Sequence, residues 1–158
     1  MKKQKGFSLI ELLIVVAIIL IIAAIAIPNL LRSRMAANEA SAVGSLRTIN
    51  TAEVTFSTTY PSIGFASLAA LGGVAATCAT TATSTAACLI DDTLATGTKS
   101  GYTFKATTSG TAPFVQYSAT GTPVVVGQSG QRAFFTDQSG VIRYDATGTT
   151  ATNASPAL

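Results

Sequence analysis

The sequence predicts an α+β protein in which a long N-terminal helix is followed by a small antiparallel sheet. Three observations indicate this fold class. Apolar residues make up 48% of the 158 residues, and they are concentrated in the first 31 positions. An apolar stripe with helical spacing then extends the helix to about residue 60. Short runs of β-forming residues, separated by turn residues, follow from residue 102.

The N-terminal apolar run has the composition of a membrane-spanning helix. It extends from Phe7 to Leu31, and these about 25 residues are roughly what a helix needs to cross a bilayer core. Three lysines lie in residues 1–6, so the positive-inside rule predicts that the extreme N-terminus stays in the cytoplasm. Few polar side chains lie within the run. They are Ser8, Glu11 and Asn29.

Three other interpretations of this run are open. A secretory signal peptide would be cleaved after one of the small residues at positions 23–26, but the run is long and carries a carboxylate near its cytoplasmic end. A plain single-span anchor explains everything except Glu11 and the Gly6–Phe7 junction. A buried core helix is disfavoured by the length of the run.

Glu11 is the most informative residue of the run. An ionised carboxylate at the bilayer centre costs ~2.5–3.5 kcal/mol, and less near the interface, so an intramembrane acid needs a partner. The run contains no lysine or arginine. If the chain were cut after Gly6, the new amino group of Phe7 would be a cation at the same depth. That amine could come from the same chain or from a neighbour, and a neighbour would make the pair an assembly contact.

The N-terminal residues match a known signal. They read Lys-Gly-Phe-Ser-Leu-Ile-Glu-Leu-Leu-Ile-Val-Val-Ala-Ile-Ile and, further on, Ile-Pro-Asn-Leu. This stretch resembles the class III signal of type IV pilins and type II secretion pseudopilins over about the first 35 residues. The resemblance implies cleavage by a prepilin peptidase between Gly6 and Phe7, with N-methylation of Phe7. It also implies that Glu11 faces the Phe7 amine of an adjacent subunit while apolar helices form the filament core.

The resemblance also implies partners and a location. The partners are identical or related pilin subunits, the prepilin peptidase, the inner-membrane assembly machinery and, before assembly, membrane lipid. The precursor would lie in a bacterial inner membrane, and the mature subunit in a surface pilus, or in the periplasm if the chain is a pseudopilin. The fold implied is the pilin fold.

The helix is predicted to continue beyond the membrane run. Pro28 lacks an N–H and should kink or locally melt the helix, and Pro61 should end it. At ~1.5 Å per residue the whole helix would be about 80 Å long, so it needs lipid or other subunits to cover it. The apolar stripe consists of Leu46, Ile49, Phe56 and Tyr60.

The charged residues of this second half predict a solvated face, with pairing between subunits as the alternative. Glu53 is the one best placed for such a contact, because it lies near the apolar stripe. The charged residues are Arg32, Arg34, Glu39, Arg47 and Glu53.

The connection between helix and sheet is rich in alanine and threonine. A short helix over 67–71, closed by glycine, is predicted first. Residues 75–98 have low complexity and predict a surface loop. Cys78 and Cys88 lie in this loop, and in an oxidising compartment a disulfide between them would stabilise the fold by ~2–3 kcal/mol. A metal pair or a catalytic thiol is disfavoured because no histidine or other base is available.

Five strands are predicted after the connection, with one face of the sheet packed on the helix. Alternation supports this in Tyr102/Phe104/Ala106 and in Val115/Tyr117/Ala119. The tail from Ala146 is predicted to fray. The predicted strands are Tyr102–Thr107, Phe114–Ala119, Thr122–Val126, Arg132–Thr136 and Val141–Asp145.

The composition excludes several chemistries. The chain has no histidine, and outside the three N-terminal lysines seven basic residues balance seven acidic ones, so neither catalysis nor nucleic-acid binding is predicted. Secretion pseudopilins carry calcium near the C-terminus, but Asp137 and Asp145 are few ligands for an ion that takes six to eight oxygens. They predict a hairpin turn instead, and Asp91–Asp92 form a second acidic pair. No metal and no cofactor are predicted.

A structural role is therefore the first hypothesis, as the subunit of a type IV pilus that serves adhesion or motility. The alternatives are a type II secretion pseudopilin and, further away, a membrane-anchored adhesin or a DNA-uptake minor pilin. An enzyme is not expected. The predicted regions are a leader (1–6), a transmembrane and filament-core helix (7–31), an amphipathic half-helix (32–61), a loop with the two cysteines (62–101), and the sheet with its tail (102–158).

Overall fold

The computed structural model describes residues 7–73, 78 and 81–158. The chain divides into two compact units, an N-terminal unit that ends at Arg34 and a C-terminal unit that begins at Met35. Helix α1 (Leu9–Thr59) contributes residues to both units. The other described elements lie in the C-terminal unit. They are α2 (Leu68–Leu71), α3 (Asp92–Ala95), β1 (Thr98–Lys99), β2 (Tyr102–Ser109), β3 (Gln116–Pro123), β4 (Ala133–Asp137) and β5 (Arg143–Asp145).

Helix α1 forms where the apolar run and the stripe predict it. It begins at Leu9, two residues after the predicted start, and it ends at Thr59, just before Pro61. Pro28 lies inside the helix, and the helix is continuous through it, so the predicted local melting does not occur. A kink at Pro28 stays a prediction.

The second half of α1 supplies one side of the core of the C-terminal unit. Leu46, Ile49 and Phe56 are fully buried, and Tyr60 is half-buried against the ring of Phe56. The predicted apolar stripe is therefore confirmed, and it is the face on which the rest of the unit packs.

The sheet has five antiparallel strands in the order β1-β2-β3-β4-β5, so each strand pairs with its neighbour in the chain. The central pairing of β2 with β3 runs from Tyr102 opposite Pro123 to Ser109 opposite Gln116. Tyr102, Phe104 and Ala106 are buried while the residues between them are exposed. The predicted alternation on β2 and the α+β fold class are confirmed.

One predicted boundary in the sheet is wrong. The sequence predicted two strands separated by a turn at Gly121, but β3 runs through Gly121 without interruption. A Cβ atom at this position would lie 3.1 Å from Cε1 of Phe104, so the glycine makes room for a ring on the neighbouring strand. Residues 124–126 form no strand, and Val115 of the predicted alternation is exposed and lies before β3.

The connection between α1 and the sheet is more ordered than predicted. Helix α2 confirms the short predicted helix. The described part of residues 75–98, predicted as a surface loop, buries Ala87, Ile90 and Leu94 and contains α3. The low-complexity composition did not indicate this order, because only three apolar side chains pack the segment against the rest of the unit. Its backbone also pairs with α2, where the Ala87 N–H donates to Ala70 over 2.8 Å.

The C-terminal tail is held in place, so the predicted fraying is wrong. The Tyr144 N–H donates to the Pro156 carbonyl over 3.0 Å, and the Leu158 N–H donates to the Ile142 carbonyl over 2.9 Å. The last residues therefore cover the outer edge of β5. Composition gave no sign of this, since pairing along an edge uses backbone groups.

Candidate functional site

The start of α1 places Glu11 beside the backbone of Ser8. The Glu11 Oε2 atom accepts a hydrogen bond from the Ser8 N–H at 2.9 Å, and both residues are exposed. Phe7 lies next to them with 78% of its surface exposed. Gly6, the other residue of the predicted cleavage site, lies outside the described residues.

This contact is half of a capping box, in which the third residue of a helix, a glutamate, accepts a hydrogen bond from the backbone N–H of the N-cap residue that precedes the helix. The Ser8-Leu9-Ile10-Glu11 spacing carries that signal in the sequence, but the cap was not among the predicted features. The contact satisfies one of the N–H groups that a helix start leaves without a partner. Glu11 therefore has a local role in addition to any role between subunits.

The N-terminal unit presents a continuous apolar surface. Large apolar side chains between Phe7 and Leu31 are more than two-fifths exposed, including Leu9, Ile18 and Ile27. Among the described residues, α1 is the one helix long and apolar enough to cross a membrane. An exposed apolar surface of this extent marks contact with lipid or with other protein chains.

Glu39 is paired within the C-terminal unit, although a solvated face was predicted for it. Its Oε1 atom accepts from the Gln131 N–H at 2.8 Å and the Arg132 N–H at 3.1 Å, and its Oε2 atom lies 2.8 Å from Arg132 Nε. Burial acts to raise the pKa of Glu39, but the hydrogen bonds from Gln131 and Arg132 outweigh it and hold the pKa below its ordinary value.

Glu53 is fully buried, so it lies neither on a solvated face nor on a surface where another subunit could reach it. Its Oε2 atom accepts from the Ala66 N–H at 2.9 Å. Its Oε1 atom has no hydrogen-bond partner among the described residues. Burial raises the pKa of Glu53 to about 7, although the Ala66 hydrogen bond acts in the opposite direction. By contrast Arg32, Arg34 and Arg47 are exposed, as predicted.

The two cysteines form the predicted disulfide between Cys78 and Cys88. The bond lies against Gly73, where a Cβ atom would come within 2.8 Å of Cys78 Sγ. It therefore ties the chain just after α2 to the segment that returns along α2.

The aspartates serve local structure. Asp137 Oδ1 accepts from the Ser139 N–H at 2.9 Å, in the turn that follows β4. Asp91 caps α3 by accepting from the Leu94 N–H at 2.7 Å, and its Oδ2 atom lies 2.6 Å from Lys99 Nζ. Within the part of the chain that the structure describes, no three acidic, histidine or cysteine side chains come together as a metal site would require.

Comparison with known proteins concerns the N-terminal segment. A family model described as the prokaryotic N-terminal methylation motif matches residues 1–27. The type IV wide pilus major component PilA4 of Thermus thermophilus is 64% identical over 39 residues, which are 25% of this chain and 30% of that protein. The N-terminal segment is therefore similar to that of a type IV pilin. The sequence resemblance to type IV pilins is thereby confirmed.

A second type IV pilin is likewise similar to this chain over only part of its length. The type IV major pilin protein PilA of Myxococcus xanthus is 46% identical over 54 residues, which are 34% of this chain and 24% of that protein. The matched part thus spans less than a third of either pilin. No solved structure shows significant similarity to the chain.

Proposed function

We propose that this chain is a structural subunit of a type IV pilus, cut by a prepilin peptidase between Gly6 and Phe7 and polymerised through its N-terminal helix. The observation that carries the proposal is the combination of the methylation motif with the exposed apolar surface of residues 7–31. An exposed apolar surface of this extent must be covered. Lipid would cover it before assembly, and the stacked helices of other subunits would cover it in the filament.

Glu11 is the residue that links processing to assembly in this proposal. Cleavage after Gly6 exposes a positively charged amine on Phe7, which lies four residues before the glutamate in the sequence. In the free subunit the Ser8 N–H holds the carboxylate at the helix start. In the filament, the Phe7 amine of an adjacent subunit would add a charged partner in a surrounding of low dielectric, where such a pair is strong.

The partners follow from the same mechanism. They are identical or related pilin subunits, the prepilin peptidase, the assembly machinery of the inner membrane, and the lipid that covers the helix of the precursor. The subunit would move from the inner membrane to a surface pilus. Its role is structural, and the proposal requires no cofactor, metal or nucleic acid.

Two variants of Glu11 separate its local role from its charge. Glutamine also completes a capping box, so Glu11→Gln keeps the contact with Ser8 and removes the charge, whereas Glu11→Ala removes both. We expect both variants to insert and to be cleaved, and both to yield far fewer filaments when sheared surface material is viewed by electron microscopy.

The outcomes distinguish the possible roles. Normal filaments from Glu11→Gln together with loss from Glu11→Ala would show that only the helix cap matters. Normal filaments from both variants would remove Glu11 from assembly. If the wild-type chain forms filaments only on overexpression, the chain is a secretion pseudopilin and the pilus proposal is wrong.

A further inference from the structure

Glu53 is electrostatically isolated along the chain. It is the one charged residue between Arg47 and Asp91. It is nevertheless fully buried, with 0% of its surface exposed. A buried carboxylate without a cation is costly when it is ionised, and such groups respond by holding a proton. The position therefore calls for an explanation that packing alone does not give.

The carboxyl group of Glu53 connects α1 to the joint segment, which we define as residues 60–67 between α1 and α2. The bond from the Ala66 N–H to Glu53 Oε2 spans 13 residues of sequence. On its other side the joint segment is held by the loop before β3. The Phe65 N–H donates to the Phe114 carbonyl over 2.9 Å, and the Phe114 N–H donates to the Ile63 carbonyl over 2.7 Å.

Among the residues that the structure describes, the groups that face Glu53 provide no positive charge. On β3, the Tyr117 hydroxyl donates to Asn50 Oδ1 at 2.9 Å, and burial, Glu53 and Asp137 together raise the pKa of Tyr117 to about 12. The joint segment and α2 contribute Tyr60 as their titratable side chain and no charged one. On α1 itself, Arg47 is exposed and lies almost two turns away. An ionised Glu53 would thus keep a single hydrogen bond as compensation.

We propose that Glu53 is a proton-dependent latch: with its proton it stays buried and holds the joint segment on α1, and without it the joint segment opens to hydrate the carboxylate. Glu53 and the joint segment both lie in the C-terminal unit. The proposal can therefore be tested independently of filament assembly.

The sign of the pH dependence follows from the raised pKa. The closed form keeps the proton up to about pH 7, whereas an open, hydrated glutamate loses it near the ordinary value of about 4.3. The equilibrium constant for opening should therefore rise with pH, by roughly tenfold for each unit between about pH 5 and pH 7, and level off above that range.

Hydrogen exchange of the Ala66 amide tests the latch in the full chain held in detergent micelles. Exchange is followed from pH 5 to pH 8 and corrected for the intrinsic pH dependence of amide exchange. We expect the protection of Ala66 in the wild-type chain to fall by at least tenfold over this range. In Glu53→Gln, whose neutral amide oxygen still accepts from Ala66, protection should stay constant within about twofold.

Glu39→Gln is the matched control, because it removes the other buried glutamate of α1 and should keep the wild-type profile at Ala66. A flat profile in the wild-type chain, or the same fall in Glu53→Gln, would overturn the proposal. Should Glu53→Gln fail to fold, a carbon-13 titration of the Glu53 carboxyl in the wild-type chain decides. A midpoint near pH 7 supports the latch, and a midpoint near pH 4 to 5 overturns it.

Discussion

The two units of the chain place the same kinds of side chain in opposite surroundings. In the N-terminal unit, large apolar residues such as Leu9 and Ile27 are exposed. In the C-terminal unit, Leu46 and Phe56 on the same helix are completely buried. The C-terminal unit buries a core of its own, whereas the large apolar residues of the N-terminal unit stay exposed and need a covering from outside. This difference separates residues that stabilise the fold from residues that, in the proposed function, serve assembly.

The three glutamates of α1 show the same contrast for charge. Glu11 is exposed and binds the Ser8 amide. Glu39 is ion-paired with Arg132, which helps to hold its pKa down. Glu53 is buried with no ion-pair partner in the described part of the chain, and burial raises its pKa. One residue type on one helix thus has three electrostatic roles, and the surroundings decide which.

The largest expected effect is on the core. Phe56→Ala removes a fully buried ring and should lower the free energy of unfolding of the C-terminal unit by about 3–5 kcal/mol, measured by chemical denaturation in detergent. Ile18→Ala in the N-terminal unit is the matched comparison and should leave this transition unchanged, because Ile18 is exposed. Equal losses from both variants would contradict the separation into self-covered and externally covered regions.

The disulfide should have the next largest effect. Replacing both Cys78 and Cys88 by serine is expected to lower the unfolding free energy by ~2–3 kcal/mol, since the bond restricts the unfolded chain. Thermal unfolding in oxidising and reducing buffer measures it. A reducing agent should destabilise the wild-type chain and leave the double variant unaffected. An unchanged wild-type transition would show that the bond contributes no stability.

The ion pair between Glu39 and Arg132 should make the unfolding free energy depend on pH. Because the folded-state pKa of Glu39 is lowered, its contribution to stability is complete above the ordinary value of about 4.3 and is lost as the pH falls through the folded-state value. Arg132→Gln removes the cation and should cost about 1–3 kcal/mol near neutral pH. It should also make the loss in acid shallower. Chemical denaturation of the wild-type chain and of Arg132→Gln between pH 3 and pH 7 measures both effects. If the unfolding free energy of the two chains falls in parallel as the pH is lowered, the ion pair does not cause the pH dependence.

The smallest effect is expected at the start of α3. Asp91→Ala removes the bond to the Leu94 N–H and should cost about 1 kcal/mol. Asp91→Asn keeps a capping oxygen and loses only the exposed pair with Lys99, so it should cost a few tenths of a kcal/mol. The melting temperatures of Asp91→Ala and Asp91→Asn, compared with the wild-type chain, measure the two costs. If asparagine costs as much as alanine, the ion pair and not the cap is the important contact.

The sequence predicted the helix of the N-terminal unit more directly than it predicted the contacts of the C-terminal unit, for a physical reason. The features of residues 7–31 lie in one contiguous run, so composition shows them directly. In the C-terminal unit the decisive partners are distant: Glu39 binds Arg132, which is 93 residues away, and Glu53 binds Ala66. The role of Gly121 likewise depends on a ring of the neighbouring strand. In the N-terminal unit the contact between Ser8 and Glu11 is the exception, because it was not predicted although its three-residue spacing is visible in the sequence.

The central claim is that the N-terminal segment is processed and then buried in a filament, and intact-mass analysis of the subunit in sheared surface filaments tests it most directly. The account predicts a chain that begins at Phe7 and carries one added methyl group, with Cys78 and Cys88 oxidised. A subunit that begins at Met1, or one that begins after Ala26 and has lost the apolar run, would contradict it.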